Sequence, residues 1–212
     1  MTIKIKNNWD EITWKEYEQI EQILSADIPN DFKTVHIVSI LTGMQVNQVE
    51  NMQVTEFQKL LPHLEFLETE PKTHYHKFEY TINDREYVFK GKLEDITTAM
   101  YIDYSTYMKD ENKDVVKLMS VFLIPKGHDY NDGYDMEQVQ SDIGDLCWLD
   151  VRAMSFFFRL WCATYVIILK SSLQKTLKET MKGKTRAEKK EIKKQIKELE
   201  TSFNNSASSL LS

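Results

Sequence analysis

Apolar residues recur at helical spacing through the first third of the chain. In DEITWKEYEQIEQIL, Trp14, Tyr17, Ile20, Ile23 and Leu24 share one face, while Glu16, Glu18, Glu21 and Gln22 stay outside it. Thr13 stands three residues before Glu16, the spacing at which a threonine hydroxyl and a glutamate carboxylate each cap the other's backbone N–H. Pro29 and Asn30 break the pattern. A second helix is predicted from Asp31 or Thr34 to a C-terminal cap at Gly43. QVNQVENM and TEFQKLLPHLEFLETEP add short pieces of helix. In the second of these Thr55 is the expected cap, Phe57, Leu60, Leu61, Leu64 and Leu67 make an apolar stripe, and Pro62 marks a first turn or a kink.

The period then shortens to two. HKFEYTI and EYVFK alternate, with Phe78, Tyr80 and Ile82 on one face and INDRE between the runs to supply a turn, which predicts a hairpin. Asp95 to Met108 reads as a helix carrying Tyr101, Tyr104 and Tyr107, followed by the polar linker KDENKD. Val115 to Ile124 is apolar throughout and fits either a buried helix or a strand; a helix is the expectation. MEQVQSDIGDL predicts another short helix, and Leu149 to Leu177 a long apolar one. Lys184 to Glu200 predicts a charged helix with Ile192, Ile196 and Leu199 on one narrow face, and SFNNSASSLLS a flexible tail.

The fold class implied is α+β, mostly α-helical with one small β-hairpin and long C-terminal helices. Residues 1–70 form a helical N-terminal region. Residues 71–182 form an α+β core with the long apolar helix, one domain with the region before it, and residues 183–212 form the charged helix and tail.

Composition narrows the function. The 212 residues hold 33 acidic and 27 basic side chains, a net charge of -6. That balance argues against a general nucleic-acid binder, whose affinity rests on neutralising phosphates with lysine and arginine. Cys147 and Cys162 lie in apolar runs with no CxxC, which reads as two buried free thiols in a reducing compartment. The most apolar segment, Phe156 to Leu169, contains Arg159 and falls short of the roughly 20 residues that span a bilayer, so a core helix is expected and no membrane association. MTIKIKNNWDEITW has no apolar core of a secretory signal, so a cytosolic protein is expected.

Several motifs approach known chemistry and miss it. VFLIPKGHDYNDGYD, Val121 to Asp135, gathers Lys126, His128, Asn131 and three aspartates after a proline. Counted as a calcium loop from Asp129, position 5 is Gly133, position 6 is Tyr134 and position 12 is Gln140, three mismatches to the acidic, glycine and glutamate ligand pattern. A turn built by proline, glycine, asparagine and aspartate explains the stretch better. Gly183-Lys184-Thr185 copies the end of a phosphate-binding loop, but Lys178 stands where its first glycine belongs. His74 and His76 would share a face on a strand and could hold part of a metal site, although no third ligand is recognisable. No catalytic, cofactor-binding or metal-ligating residue is predicted, and no cofactor.

The 184–200 helix keeps two readings, a solvated terminal helix or a docking arm whose Ile192, Ile196 and Leu199 lie in a partner's groove.

The string LTGMQVNQVENMQVTEFQKLLPHLEFL, Leu41 to Leu67, resembles the tail assembly chaperones of tailed bacteriophages. The matching features are Leu41-Thr42-Gly43, then Val46, Val49 and Met52, then Glu56-Phe57, then the closing apolar run from Leu60 to Leu67. ITWKEYEQIEQIL is similar to the opening helix of such chains, and YIDYSTYM with VFLIPKGHDYNDGYD resembles proteins of Bacteroidetes phages, the crAss-like group included. The resemblance implies a non-catalytic morphogenesis protein that coats the tape-measure protein in the host cytoplasm. Its partners would be tape-measure or tail and connector proteins, with homo-oligomers also expected and no nucleic acid. Partner contact is expected at Phe57, Leu60, Leu64, Ile192, Ile196 and Leu199. A structural virion protein, such as a connector or tail ring or a packaged cargo subunit, is the alternative, and a small metal-dependent enzyme the third.

Overall fold

A computed structural model describes residues 3–72, 74–108 and 114–157, together with 175, 176, 179, 185 and 197. The chain separates into two compact units, Met1–Met154 and Ser155–Ser212. The architecture below belongs to the first. The expected charged helix, with Ile192, Ile196 and Leu199, and Cys162 lie outside the described residues, as does most of the expected long apolar helix.

The first helix, α1 (Trp14–Ser25), starts where its cap dictates. The Thr13 hydroxyl accepts from the Glu16 N–H at 3.3 Å, and Glu16 Oε2 accepts from the Thr13 N–H at 2.9 Å. Glu16 also holds the Lys6 ammonium at 2.6 Å. Replacing a threonine cap removes an acceptor from a helix end that has none to spare. Thr13→Ala is therefore expected to cost about 1 kcal/mol, read as a lower urea midpoint at unchanged slope.

Helix α2 (Asn30–Thr42) ends at Gly43, whose φ of 70° is the left-handed conformation that lets the chain leave the helix without a Cβ clash. Apolar residues lie around much of α2 because it is packed from more than one direction. Ile37 and Leu41 join Ile12, Ile20, Trp148 and Leu149 in one cluster, while Val38 joins Val49 and Leu60 in another. Helices α3 (Val46–Glu50) and α4 (Val54–Leu60) follow, then a 3-10 helix over Leu61–Glu68 with Pro62 in its first turn. Thr55 is not the cap of α4. The helix begins earlier, after Gln53, and Thr55 lies in its first turn.

The hairpin forms as expected. Strands β1 (Glu79–Ile82) and β2 (Arg85–Phe89) pair antiparallel, with Tyr80 opposite Tyr87. Asn83 and Asp84 both take positive φ, 49° and 61°, the two-residue turn whose twist matches the strands. Tyr80 and Ile82 are buried, but Phe78 is 48% exposed. It precedes the strand, although its carbonyl still accepts from the Phe89 N–H at 2.8 Å.

The run Val115 to Ile124 is where expectation and structure part. Its first half is helix α6 (Val115–Ser120), capped by Asp114, and its end is strand β3 (Leu123–Pro125), which pairs antiparallel with β2. The sheet thus has three strands in the order β1-β2-β3. Helix α5 (Thr98–Tyr107) is capped by Thr97, and α7 (Met136–Asp145) by Asp135. A further helix starts at residue 148. Its entry is tied to the start of the chain. Trp14 N donates to Leu146 O and Trp148 N to Ile12 O, each at 2.9 Å. The fold is α+β and mostly helical, with a small antiparallel sheet.

Candidate functional site

Two neighbouring helices, α1 and α2, leave an open groove of about 380 Å³ between them. Ile23 and Ala26 line it from α1 and its C-terminal cap, His36, Ser39 and Ile40 from α2, and Ile28 and Val46 from the loops beside them. The groove exists because α1 turns Ile20 into the core and presents its Gln19, Gln22 and Ile23 face to the side. Ser39 is buried with its hydroxyl spent on Met44 O at 2.6 Å, so a polar residue sits in the lining without an open hydrogen-bonding demand. At one end, Ile28 is 39% and Phe32 55% exposed. Phe32 precedes His36 by four residues, so it continues the α2 side of the groove. Apolar surface is thus presented along one side of the α1–α2 pair.

The strongest electrostatic feature lies elsewhere, in the joint between hairpin and α7. The Asp142 carboxylate is fully buried and receives five donors. Arg85 Nε reaches Oδ2 at 2.7 Å and Arg85 Nη2 reaches Oδ1 at 2.8 Å. Asn83 Nδ2 and Gln138 Nε2 donate to Oδ1 at 3.0 and 3.1 Å, and the Tyr87 hydroxyl donates to Oδ2. The Arg85 hydrogen bonds, with help from Tyr87 and Asn83, hold the carboxyl well below the usual carboxylate range. Burial, and then the bond to Asp142, push the Tyr87 phenol up to about 12. With its oxygens already occupied and no exposed surface, this carboxylate is suited to clamp two elements together, and ill placed to exchange protons with a ligand.

Neither sequence nor spacing singled out that clamp. Its only trace is local. Asn83, Arg85 and Tyr87 alternate along one side of the hairpin, and Gln138 and Asp142 stand one helical turn apart on α7. Which of 33 acidic residues meets Arg85 is a matter of tertiary structure.

The other candidates have ordinary placements. His74 is not on a strand; its Nε2 lies 2.8 Å from Oδ1 of the buried Asp150, whose Oδ2 is 4.0 Å from Lys77 Nζ. His76 meets the rings of Phe78 and Phe89 edge-on, and burial lowers its pKa. Among the described residues no three His, Cys, Asp or Glu side chains stand close enough to share a metal. Burial pushes the Cys147 thiol up, which disfavours its thiolate.

In the 121–135 stretch, Lys126 Nζ is 3.3 Å from Glu86 and 3.9 Å from Glu79, and its N–H donates to Glu86 O. Tyr130 donates to Asp103 on α5 at 2.7 Å, and Gly127 and Gly133 take positive φ. The segment is a connector pinned to the hairpin and to α5. Of the expected partner-contact residues, Leu60 is buried against Val38 and Val49, with Phe57 and Leu64 packed on the same cluster.

No helix among the described residues is long and apolar enough to cross a membrane. The chain matches no family model, no curated protein and no solved structure.

Proposed function

We propose that this chain acts through protein contacts and without catalysis, as a tail assembly chaperone that binds a long, apolar, helical tape-measure protein. The observation that carries the reading is the α1–α2 groove, with Ile28 exposed in its lining and Phe32 exposed one turn before His36 on α2. Exposed apolar surface of this kind marks contact sites, and a groove between two helices accepts the apolar face of a third. The net charge of -6 supports the same reading, because repulsion keeps a client-bearing complex dispersed. The resemblance of Leu41 to Leu67 to tail chaperones supplies the client class.

The test is co-expression with a tape-measure protein of a tailed phage, scored as the soluble fraction of that client. Wild type is expected to hold most of the client in solution. Ile28→Ser combined with Phe32→Ser should release it into the pellet while the variant itself stays folded, since both side chains are exposed. A client that is insoluble in either case overturns the reading. So does recovery of this chain from purified particles at stoichiometric copy number, which would assign it to the virion as a connector, ring or cargo subunit.

A further inference from the structure

We infer that the α1–α2 groove also receives the basic C-terminal sequence, residues 175–200, of a second copy of this chain. The inference rests on the reading of the groove as a protein-contact site, and it adds the identity of one occupant. Charge is segregated along the chain. Residues 14–50, which build α1, α2 and α3 around the groove, contain six carboxylates and two lysines, a net of -4. Both lysines are engaged: Lys33 donates to Leu24 O at 2.7 Å, and Lys15 pairs with Asp145 at 3.0 Å. Asp27 and Asp31 are exposed directly before the exposed Ile28 and Phe32. Residues 175–200 are the converse, with ten basic and five acidic side chains, a net of +5.

The apolar pattern is complementary as well. Within 175–200, Ile192, Ile196 and Leu199 recur at intervals of four and three residues, so a helical peptide of this sequence would present one narrow apolar stripe flanked by lysines. A narrow stripe suits a groove lined by Ile23, Ile28, Ile40 and Val46. Opposite charge would steer the encounter and fix its direction, while the isoleucines and leucine supply the burial. When each copy gives its C-terminal sequence to the other's groove, two equivalent contacts close the pair, so a discrete dimer follows rather than an open filament.

The test is sedimentation of the full chain at about 50 mM and about 500 mM salt, a range that shortens the screening length severalfold. Wild type should run as a species of twice 25.1 kDa at low salt, with its apparent dissociation constant weakened roughly tenfold at high salt. Ile28→Ser with Phe32→Ser removes the groove's exposed end, and Ile192→Ser with Ile196→Ser removes the stripe. Each variant alone should sediment at 25.1 kDa, and an equimolar mixture should recover a 1:1 pair through its one intact groove and one intact stripe.

A wild type that is monomeric at both salts overturns the inference, including the case in which the sequence occupies its own groove. Dimers that survive both sets of substitutions, or a mixture that fails to pair, overturn it too. In Ile28→Ser with Phe32→Ser, lost dimerisation with the client still held in solution would sink the chaperone reading alone. Released client with dimerisation intact in the same variant would sink only this one.

Discussion

Asp142→Ala is expected to cost about 3 kcal/mol of stability, a large share of what a domain of this size possesses. The substitution leaves five donors facing a void. Arg85 is half exposed and can turn to water, so its loss is softened. Tyr87 is buried with its hydroxyl directed at Asp142 and has no comparable escape. Asp142→Asn keeps the shape but offers one oxygen where two accepted, and adds an amide that faces other donors, so it should not restore the wild-type value. Arg85→Met should be milder than Asp142→Ala, because Asn83, Gln138 and Tyr87 still solvate the carboxylate.

The same clamp sets an acid dependence. A carboxyl whose folded pKa lies below its unfolded value binds its proton more readily when unfolded. Its contribution is therefore complete above about pH 4, the unfolded range, and fades as pH falls through the depressed folded value. Urea midpoints measured from pH 7 downward should fall less steeply in Asp142→Asn than in wild type below about pH 4. Parallel curves would show that Asp142 carries no linked proton.

Phe122→Ala should be at least as damaging, at about 3–5 kcal/mol. Phe122 is fully buried at the point where α6 ends and β3 begins, and its ring meets Tyr104 of α5 edge-on with centroids 5.6 Å apart. Its carbonyl accepts from Lys90 N at 2.8 Å beyond the end of β2, so the backbone there is held in place while the ring space empties. A site that cannot collapse pays for the cavity as well as the lost burial. Phe78→Ala is the control. It removes the same ring from a half-exposed position and should cost under about 1 kcal/mol. Equal urea midpoints for the two variants would contradict the packing described.

The hairpin and the strand that joins it show how differently two parts of one sheet can be read. Tyr80 and Ile82 alternate with exposed Glu79 and Thr81, and Asn83-Asp84 is a turn pair, so β1 and β2 are written locally. Val121, Phe122, Leu123 and Ile124 are all buried, so the run has no alternation to betray a strand. A short run buried on every side fits a helix equally well, and only pairing with β2 separates the two. The groove was legible in its helices but not in its existence. Ile23 packs on the Ile12, Ile20 and Ile37 cluster as its place on the core face of α1 predicts, and it lines the groove as well.

What sequence alone determined is whatever is settled within a few residues. The Thr13–Glu16 box and the aspartate caps of α6 and α7 satisfy backbone N–H groups with side chains three positions away, while Gly43 and the Asn83-Asp84 pair turn the chain through their own positive φ. Tertiary structure decided the clamp, the third strand and the groove. Asp142 meets Arg85 across 57 residues, β3 exists only where β2 offers its edge, and a groove is the space two helices fail to fill. Local hydrogen bonds are chosen by neighbours in the chain. Long-range partners are chosen by the packing that brings them together, and one residue's identity does not name its mate.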